Sequence, residues 1–568
     1  MSLLWHHQLQ LVVHRGAEEG NATVTDIVQN SASAAPAHVA QPKIFARQAT
    51  GLRKEVGSLD VLVYNTNNQN IGLGVAFLLL ALTSYVGGNF PLSAILATVL
   101  VIPLYFVYSQ LSADLPRSGG DYVWVSRIFG RKLGPVTGFM LSWSWIILAF
   151  TSIGVPAVFF TRLGLAPMMR SLGVATGTSG FTSFGNWVSG NWGTFIVGTV
   201  LLAVFTWLLI HGVHTYMRVQ NIAFFVAIAG VIIGVVIALI VSPHTFAAHF
   251  NTYAHKLGSP KADSYATVAL AAPHATASSV TSTFYAMTWT LYMVLFGATS
   301  CYIGGEIRRP ARTQRVGMFG SLVLTGGAIT ILLLVLEHSM TTRFLTGLAG
   351  GASSSLGFSF TPTYNELLSI AAGPTSVIVA LVMGLTFLFW TYVWMPINYF
   401  TSTRLMLALS IDGYLPAAVS KVHSRHATPW VSILIASFFG ELSLILYLLG
   451  ILSVITLLWG GVIMFVVAGI AAMIYPFTMK DNWSASGGRR LGSVPTISIW
   501  GGLLVIAMAI VLWVLWADPA VGIGHSVLQK SLNIGLPLSG LVVFFGIWWV
   551  QRMRGVDVRL SATEIPPE

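Results

Sequence analysis

Residues 64–74 read YNTNNQNIGLG, and VAFLLLALTSYV (75–86) follows directly. Five of the side chains between Tyr64 and Asn70 are amides. In hydrocarbon an unpaired backbone amide or carbonyl costs several kcal/mol, so such a run needs a reason wherever it meets a membrane. Two readings fit it. IGLGVAFLLLALTSYVGGNF (71–90) can cross alone, leaving NTNNQN (65–70) as a wet flank. Alternatively, one longer span runs from Asp60 to about Val86 and is broken in its middle. Hydropathy alone leaves both open.

Composition sets the class. The chain has 568 residues, 55% hydrophobic and 8% charged, where a soluble domain carries roughly 25% charged residues. That is too little charge to cover a water-facing surface, so the chain reads as an all-α polytopic membrane protein. The net charge of +11 sits in short basic clusters between apolar runs, which argues for membrane topology and against nucleic acid. One cysteine, Cys301, excludes an intrachain disulfide and a thiolate cluster and reads as a small apolar residue. There is no Walker loop, dinucleotide fingerprint or metalloprotease helix, so no cofactor and no metal are expected. His423 and His426, beside Arg425, read as a solvated loop.

A helix needs about 20 apolar residues to cross the hydrocarbon core. Runs of that kind lie near 58–86, 91–111, 135–161, 194–212, 219–241, 281–303, 317–336, 375–400, 430–449, 453–475, 495–516 and 533–550, which makes twelve. With both termini cytoplasmic, 23 of the 29 Lys and Arg residues fall inside, as the positive-inside rule asks. The expected location is the cell membrane, with anionic lipid headgroups against the basic clusters. Residues 1–55 read as a mobile cytoplasmic tail, 56–245 as a first five-helix unit, 246–280 as an extracellular loop, 281–476 as a second unit, 477–555 as two further helices and 556–568 as a cytoplasmic tail. Outer loops near 162–193, 242–280 and 337–374 are expected to be mostly irregular, with a short helix at TYNELLSIAA (363–372).

A second span is also interrupted. FYAMTWTLYMVLFGATSCYIGGE (284–306) carries Gly297, Thr299 and Ser300 in its middle and Gly304–Gly305 at its end. Breaks in spans one and six fit two five-helix repeats of opposite topology, and paired breaks at matching positions mark a transporter binding site. KLGPVTG (132–138) before span three and AAGPTSV (371–377) before span eight echo the repeat.

Three further stretches carry a resemblance: DLPRSGGDYVWVSRIFGRKLG (114–134), GGEIRRPAR (304–312) and STRLMLALSIDGYLPAAVSKVHSRHATPW (402–430). Together they resemble the amino acid–polyamine–organocation superfamily of permeases. The resemblance implies the leucine-transporter fold, with an inverted five-helix repeat and broken helices 1 and 6, and moves the amide run into the break. It implies that backbone amides at Gly72, Leu73 and Gly74 receive a substrate carboxylate, as a helix N-terminus does. Carbonyls near Asn67, Asn68 and Asn70, and near Phe296, Gly297 and Ala298, would take the ammonium. Leu73 stands where the family has a small hydroxyl residue, with Asn68 and Asn70 as candidate substitutes. The family's glycine–aromatic step is reversed or shifted here as Phe296–Gly297, and the lysine that some members carry in span five is absent from 221–236. Arg127, Glu306, Arg404 and Asp412 read as gate or scaffold groups, with Arg404 and Asp412 pairing or capping helix ends. Gly119–Gly120 would bend the chain into a short interfacial helix with Tyr122, Val125 and Phe129 on one face.

Asp60 and Glu441 are the candidates for coupling, although Asp60 also fits a helix cap and Glu441 a structural carboxyl. Thr401 and Ser402 are hydroxyls available to sodium. Trp143, Trp145, Trp390, Trp394, Asn398 and Trp459 are candidate pocket residues. The expected function is alternating-access transport of an amino acid, with proton symport favoured over sodium, and no enzyme activity. The rivals are a polyamine or organic cation carrier, an exchanger, and an amino acid sensor on the same fold. A dication carrier needs acidic residues near the breaks, and none occurs at 65–74 or 295–300.

Overall fold

Among the described residues, ten helices are long and apolar enough to cross a membrane: Phe90–Asp114, Gly130–Thr176, Asn191–Ile210, Val213–Ile240, Pro310–Met340, Val377–Ile411, Trp430–Leu448, Leu458–Thr478, Thr496–Ala517 and Val527–Met553. The structure, a computed structural model, describes residues 52–273, 278–452, 457–555 and 557–563. Most of the expected N-terminal tail and the end of the C-terminal tail lie outside the described residues. Each of the ten helices falls on one of the apolar runs. Their outer faces are bare: Ile222, Ile232, Val236, Leu239 and Ile240 all point outward from Val213–Ile240. Water would not tolerate such a stripe, whereas lipid does.

The other two runs are broken. Helix α1 (Ser58–Gln69) stops at Asn70, and α2 (Ile71–Ala81) starts directly after it. Helices α3 (Asp121–Ile128) and α4 (Gly130–Ile153) follow the Gly119–Gly120 bend. Helix α5 (Val280–Val294) ends before Phe296, and tight turns at Thr299–Tyr302 and Gly304–Glu306 replace its continuation. Helix α6 (Pro310–Met340) packs on α1 so closely that a Cβ on Gly317 would lie 2.3 Å from Val61. Small residues permit this approach where no hydrophobic effect drives helices together. Helices α7 (Val377–Tyr392) and α8 (Trp394–Ile411) meet at Val393.

Two expectations are corrected. The long outer segments are largely helical, with helices at Ala166–Thr176, Ser179–Ser189, Pro243–Lys256, Ser264–Leu270 and Thr342–Ala349 besides the expected short one at Tyr364–Ala372. Their polar composition hid this, because much of it serves as caps. Thr363 and Glu366 form a capping box, and Glu366 also takes Arg170 in a two-pronged ion pair at 3.1 Å. Nor is α3 an interfacial helix with one apolar face. All eight of its residues are buried, because it is wedged against α4 and the turns after α5. Gly119 and Gly120, with φ of 98° and 50°, do make the bend.

Candidate functional site

The break in span one is built by Asn70. It is left-handed, with φ 61° and ψ 80°, a conformation Asn tolerates better than other side-chain-bearing residues. Its amide closes α1 on the Thr66 carbonyl at 2.8 Å. Its Oδ1 accepts from the Leu73 amide at 3.1 Å, and its carbonyl accepts from the Gly74 amide at 2.9 Å. Its Nδ2 donates to the Trp390 carbonyl at 2.8 Å, near the end of α7. One residue thus caps both half-helices and anchors them to span eight.

The other amides stitch the two breaks together. Asn65 donates to the Ser300 hydroxyl and accepts from the Ser300 amide, both at 3.0 Å. Asn68 Nδ2 donates to the Phe296 carbonyl at 2.9 Å and to Thr299 Oγ1 at 2.8 Å, while the Asn68 carbonyl accepts from the Trp394 indole at 2.6 Å. Gln69 bonds to the Tyr105 hydroxyl and accepts from Thr325 at 2.7 Å. The Phe296 carbonyl and Ser300 amide, released where α5 stops, are thus satisfied by side chains of the first break, and the Asn68 carbonyl by Trp394 of α8. Asn67 differs: its Nδ2 is buried without a hydrogen-bond partner.

A cavity of about 800 Å³ lies beside this junction. Asn68, Phe296 and Thr299 contribute from the breaks, Asn398 and Thr401 from α8, and Trp145 from α4. Its other walls are mainly aromatic and aliphatic, among them Phe77, Phe159, Trp289, Tyr292 and Trp394. Among the described residues that line it, none is Asp, Glu, Lys or Arg. The far wall comes from Ala520–Gly522 and His525–Ser526, a segment in which sequence patterns gave no sign of site residues.

Of the expected site residues, Asn68 and Phe296 line the cavity. Asn67, Asn70, Gly72, Leu73, Gly74, Gly297 and Ala298 are packed behind that wall. A Cβ on Gly72 would meet the Trp390 ring at 2.5 Å, one on Gly74 would meet Met293 at 2.9 Å, and one on Gly297 would meet the Tyr105 hydroxyl at 2.2 Å. These glycines let the break pack without a gap. Trp145, Trp394 and Asn398 line the cavity; Trp143, Trp390 and Trp459 point elsewhere, Trp143 to Ser539 and Trp459 to the Leu512 carbonyl. Thr401 and Ser402 donate back to carbonyls of their own helix.

The Arg-rich end of the bundle is closed. Arg404 pairs with Glu306 at 2.8 Å and lies over the Phe400 ring, while Arg127 pairs with Asp412 at 2.8 Å, all four side chains buried. Of the two roles weighed for Arg404 and Asp412, pairing with each other is thus corrected. Eight residues on one helix separate two side chains by about 12 Å of rise, so each reaches a different neighbouring segment. Glu55 and Val56 amides donate to the Glu306 carbonyl at 2.9 Å, and the Arg308 amide donates to the Val56 carbonyl at 2.9 Å. The two carboxyls weighed for coupling lie away from the cavity wall. Asp60 accepts from the Gly57 amide at 2.8 Å and from Asn221 at 2.7 Å. Glu441 accepts from Thr199 at 2.7 Å, between two outer helices.

A family model described as amino acid permease matches residues 59–535. The chain belongs to the amino acid permease family, within the amino acid–polyamine–organocation superfamily. It is 23% identical over 411 residues to a branched-chain amino acid permease of Bacillus subtilis, covering 70% of this chain and 74% of that one. It is 23% identical over 461 residues to the human large neutral amino acids transporter small subunit 2, covering 79% and 71%. A shorter match, 31% over 124 residues, links it to an L-methionine/branched-chain amino acid exporter of Escherichia coli, covering 22% and 26%. This permease is a multi-pass membrane transporter and not an enzyme, and amino acids are its substrate class.

Proposed function

We propose that this permease carries neutral amino acids with apolar side chains, branched-chain ones foremost, by alternating access and proton symport. The observation that carries the reading is the cavity: a polar floor at the two breaks under apolar walls with no charged side chain of Asp, Glu, Lys or Arg among the described residues. An amino acid's side chain fits such walls, while its paired charges need only amides, hydroxyls and dipoles. A polyamine would have to enter without a carboxylate to meet it, which a low-dielectric wall penalises. The relatives named for branched-chain and large neutral amino acids support the same choice.

In this reading the chain crosses the membrane twelve times, the ten continuous helices plus the two broken ones, with both termini cytoplasmic in the cell membrane. Spans one to five and six to ten form the inverted repeat. The substrate's ionic ends face Asn68, Phe296 and Thr299. The closed Arg-rich end is the cytoplasmic gate. Uptake of labelled leucine, lysine and spermidine into proteoliposomes, under imposed proton or sodium gradients, tests this. Leucine accumulation driven by protons is expected; spermidine uptake, or a requirement for sodium, overturns the reading.

A further inference from the structure

Asp121 opens α3, and its side chain is fully enclosed. Donors from three other elements converge on its Oδ2. They are the Tyr108 hydroxyl at 2.9 Å, the Trp145 indole N–H at 3.1 Å from α4, and the Tyr302 hydroxyl at 3.1 Å from the turn after α5. No side chain donates to Oδ1, which is also buried. Here one oxygen holds all three and the other is left to carry a proton. Two of the donors, Trp145 and Tyr302, also line the cavity. The Tyr302 carbonyl in turn accepts from the Gly119 amide at 3.1 Å, beside the glycine bend. Asp121 therefore sits one side chain behind the cavity wall and one residue from a hinge.

We propose that Asp121 binds the coupling proton and that Trp145 and Tyr302 transmit its protonation to the cavity. The inference rests on the proton-symport reading above. One proton from cavity water reaches the carboxylate and comes to rest on Oδ1, which leaves a neutral carboxyl. The three hydrogen bonds on Oδ2 then lose their charge assistance, which roughly halves their strength. The turn carrying Tyr302 is held less firmly to α4, and the closed end is free to open. Release of the proton on the other side restores the hold. Burial pushes Asp121 up to about 7, against the lowering effect of the three donors. The titratable side chains that act on it or share its hydrogen bonds are Tyr108, Tyr302 and Cys301. No Lys, Arg or His is among them, and Arg127 on the same helix is held by Asp412.

Infrared difference spectra across the neutral pH range read the site directly. The wild type is expected to gain carboxylic C=O absorption on acidification, and Asp121→Asn is expected to lose one component of it; a difference spectrum identical to the wild type's overturns the assignment. Tyr108→Phe removes one donor to the charged form, away from the cavity and without loss of bulk. It is expected to move the midpoint upward, on the order of one pH unit. An unmoved or lowered midpoint overturns the proposal even if Asp121→Asn fails to fold. In proteoliposomes, Asp121→Asn is expected to keep leucine–leucine exchange and to lose accumulation driven by a proton gradient. If the wild type itself ignores the gradient, the symport reading fails, and the coupling role with it. If the wild type responds and Asp121→Asn responds equally, the assignment of Asp121 alone fails.

Discussion

At the scale of residues, the amide run is a set of joints. Asn70→Leu removes the cap on the Leu73 amide, worth about 1–2 kcal/mol, and forces a residue poorly suited to a left-handed backbone, at about 1–2 kcal/mol more. A lower apparent melting temperature in detergent and weaker leucine binding are the expected results, and an unchanged melting temperature would contradict the joint. Gly72→Ala drives a methyl into the Trp390 ring and is expected to cost about 1–3 kcal/mol by the same assay. Removing one partner of a buried pair should be worse. Arg404→Leu strands Glu306, a cost of about 3–5 kcal/mol, whereas the double variant Arg404→Leu/Glu306→Leu should recover most of it. A double variant no better than the single one would show that the pair's charge is not what matters.

At the scale of elements, the polar stretch was legible as a break only with the permease-like stretches beside it, because hydropathy also fits a wet flank. Which partner each amide takes was not legible. Asn65 meets Ser300, and Asn68 meets Phe296 and Thr299, contacts between segments more than two hundred residues apart. The same limit explains α3: its sequence looks amphipathic, but burial on every side is decided by what packs over it. Glu441 drew attention by its depth in an apolar run. Its contact is Thr199, between helices Asn191–Ile210 and Trp430–Leu448, away from the cavity. Glu441→Gln is therefore expected to leave proton-driven leucine accumulation and its pH profile in place, measured in proteoliposomes; loss of the drive would return Glu441 to the coupling step.

At the scale of the whole molecule, the conformation is sealed at the Arg-rich end by two buried ion pairs and by backbone bonds between residues 55–56 and 306–308. Cys301, the only cysteine in the chain, is buried within that seal, against Gly120. Opening of this end should expose it. Glu306→Gln, which weakens the seal, is expected to speed maleimide labelling of Cys301 in membranes, and an unchanged rate would show that the pair does not hold the end shut. Sequence alone determined the membrane class, the course of the ten continuous helices, the two interruptions and the family. The class and the helices rest on composition and local pattern, which bilayer thickness and backbone hydrogen bonding translate directly into structure, whereas the family and the first interruption rest on resemblance to permease stretches. Only the tertiary structure decided that Arg404 takes Glu306 and Asp412 takes Arg127, that Gly72–Gly74 lie behind the cavity wall, and that Asp121 is enclosed by Tyr108, Trp145 and Tyr302. Those outcomes depend on which distant segments pack together, and a charge or an amide accepts many partners until packing leaves it one.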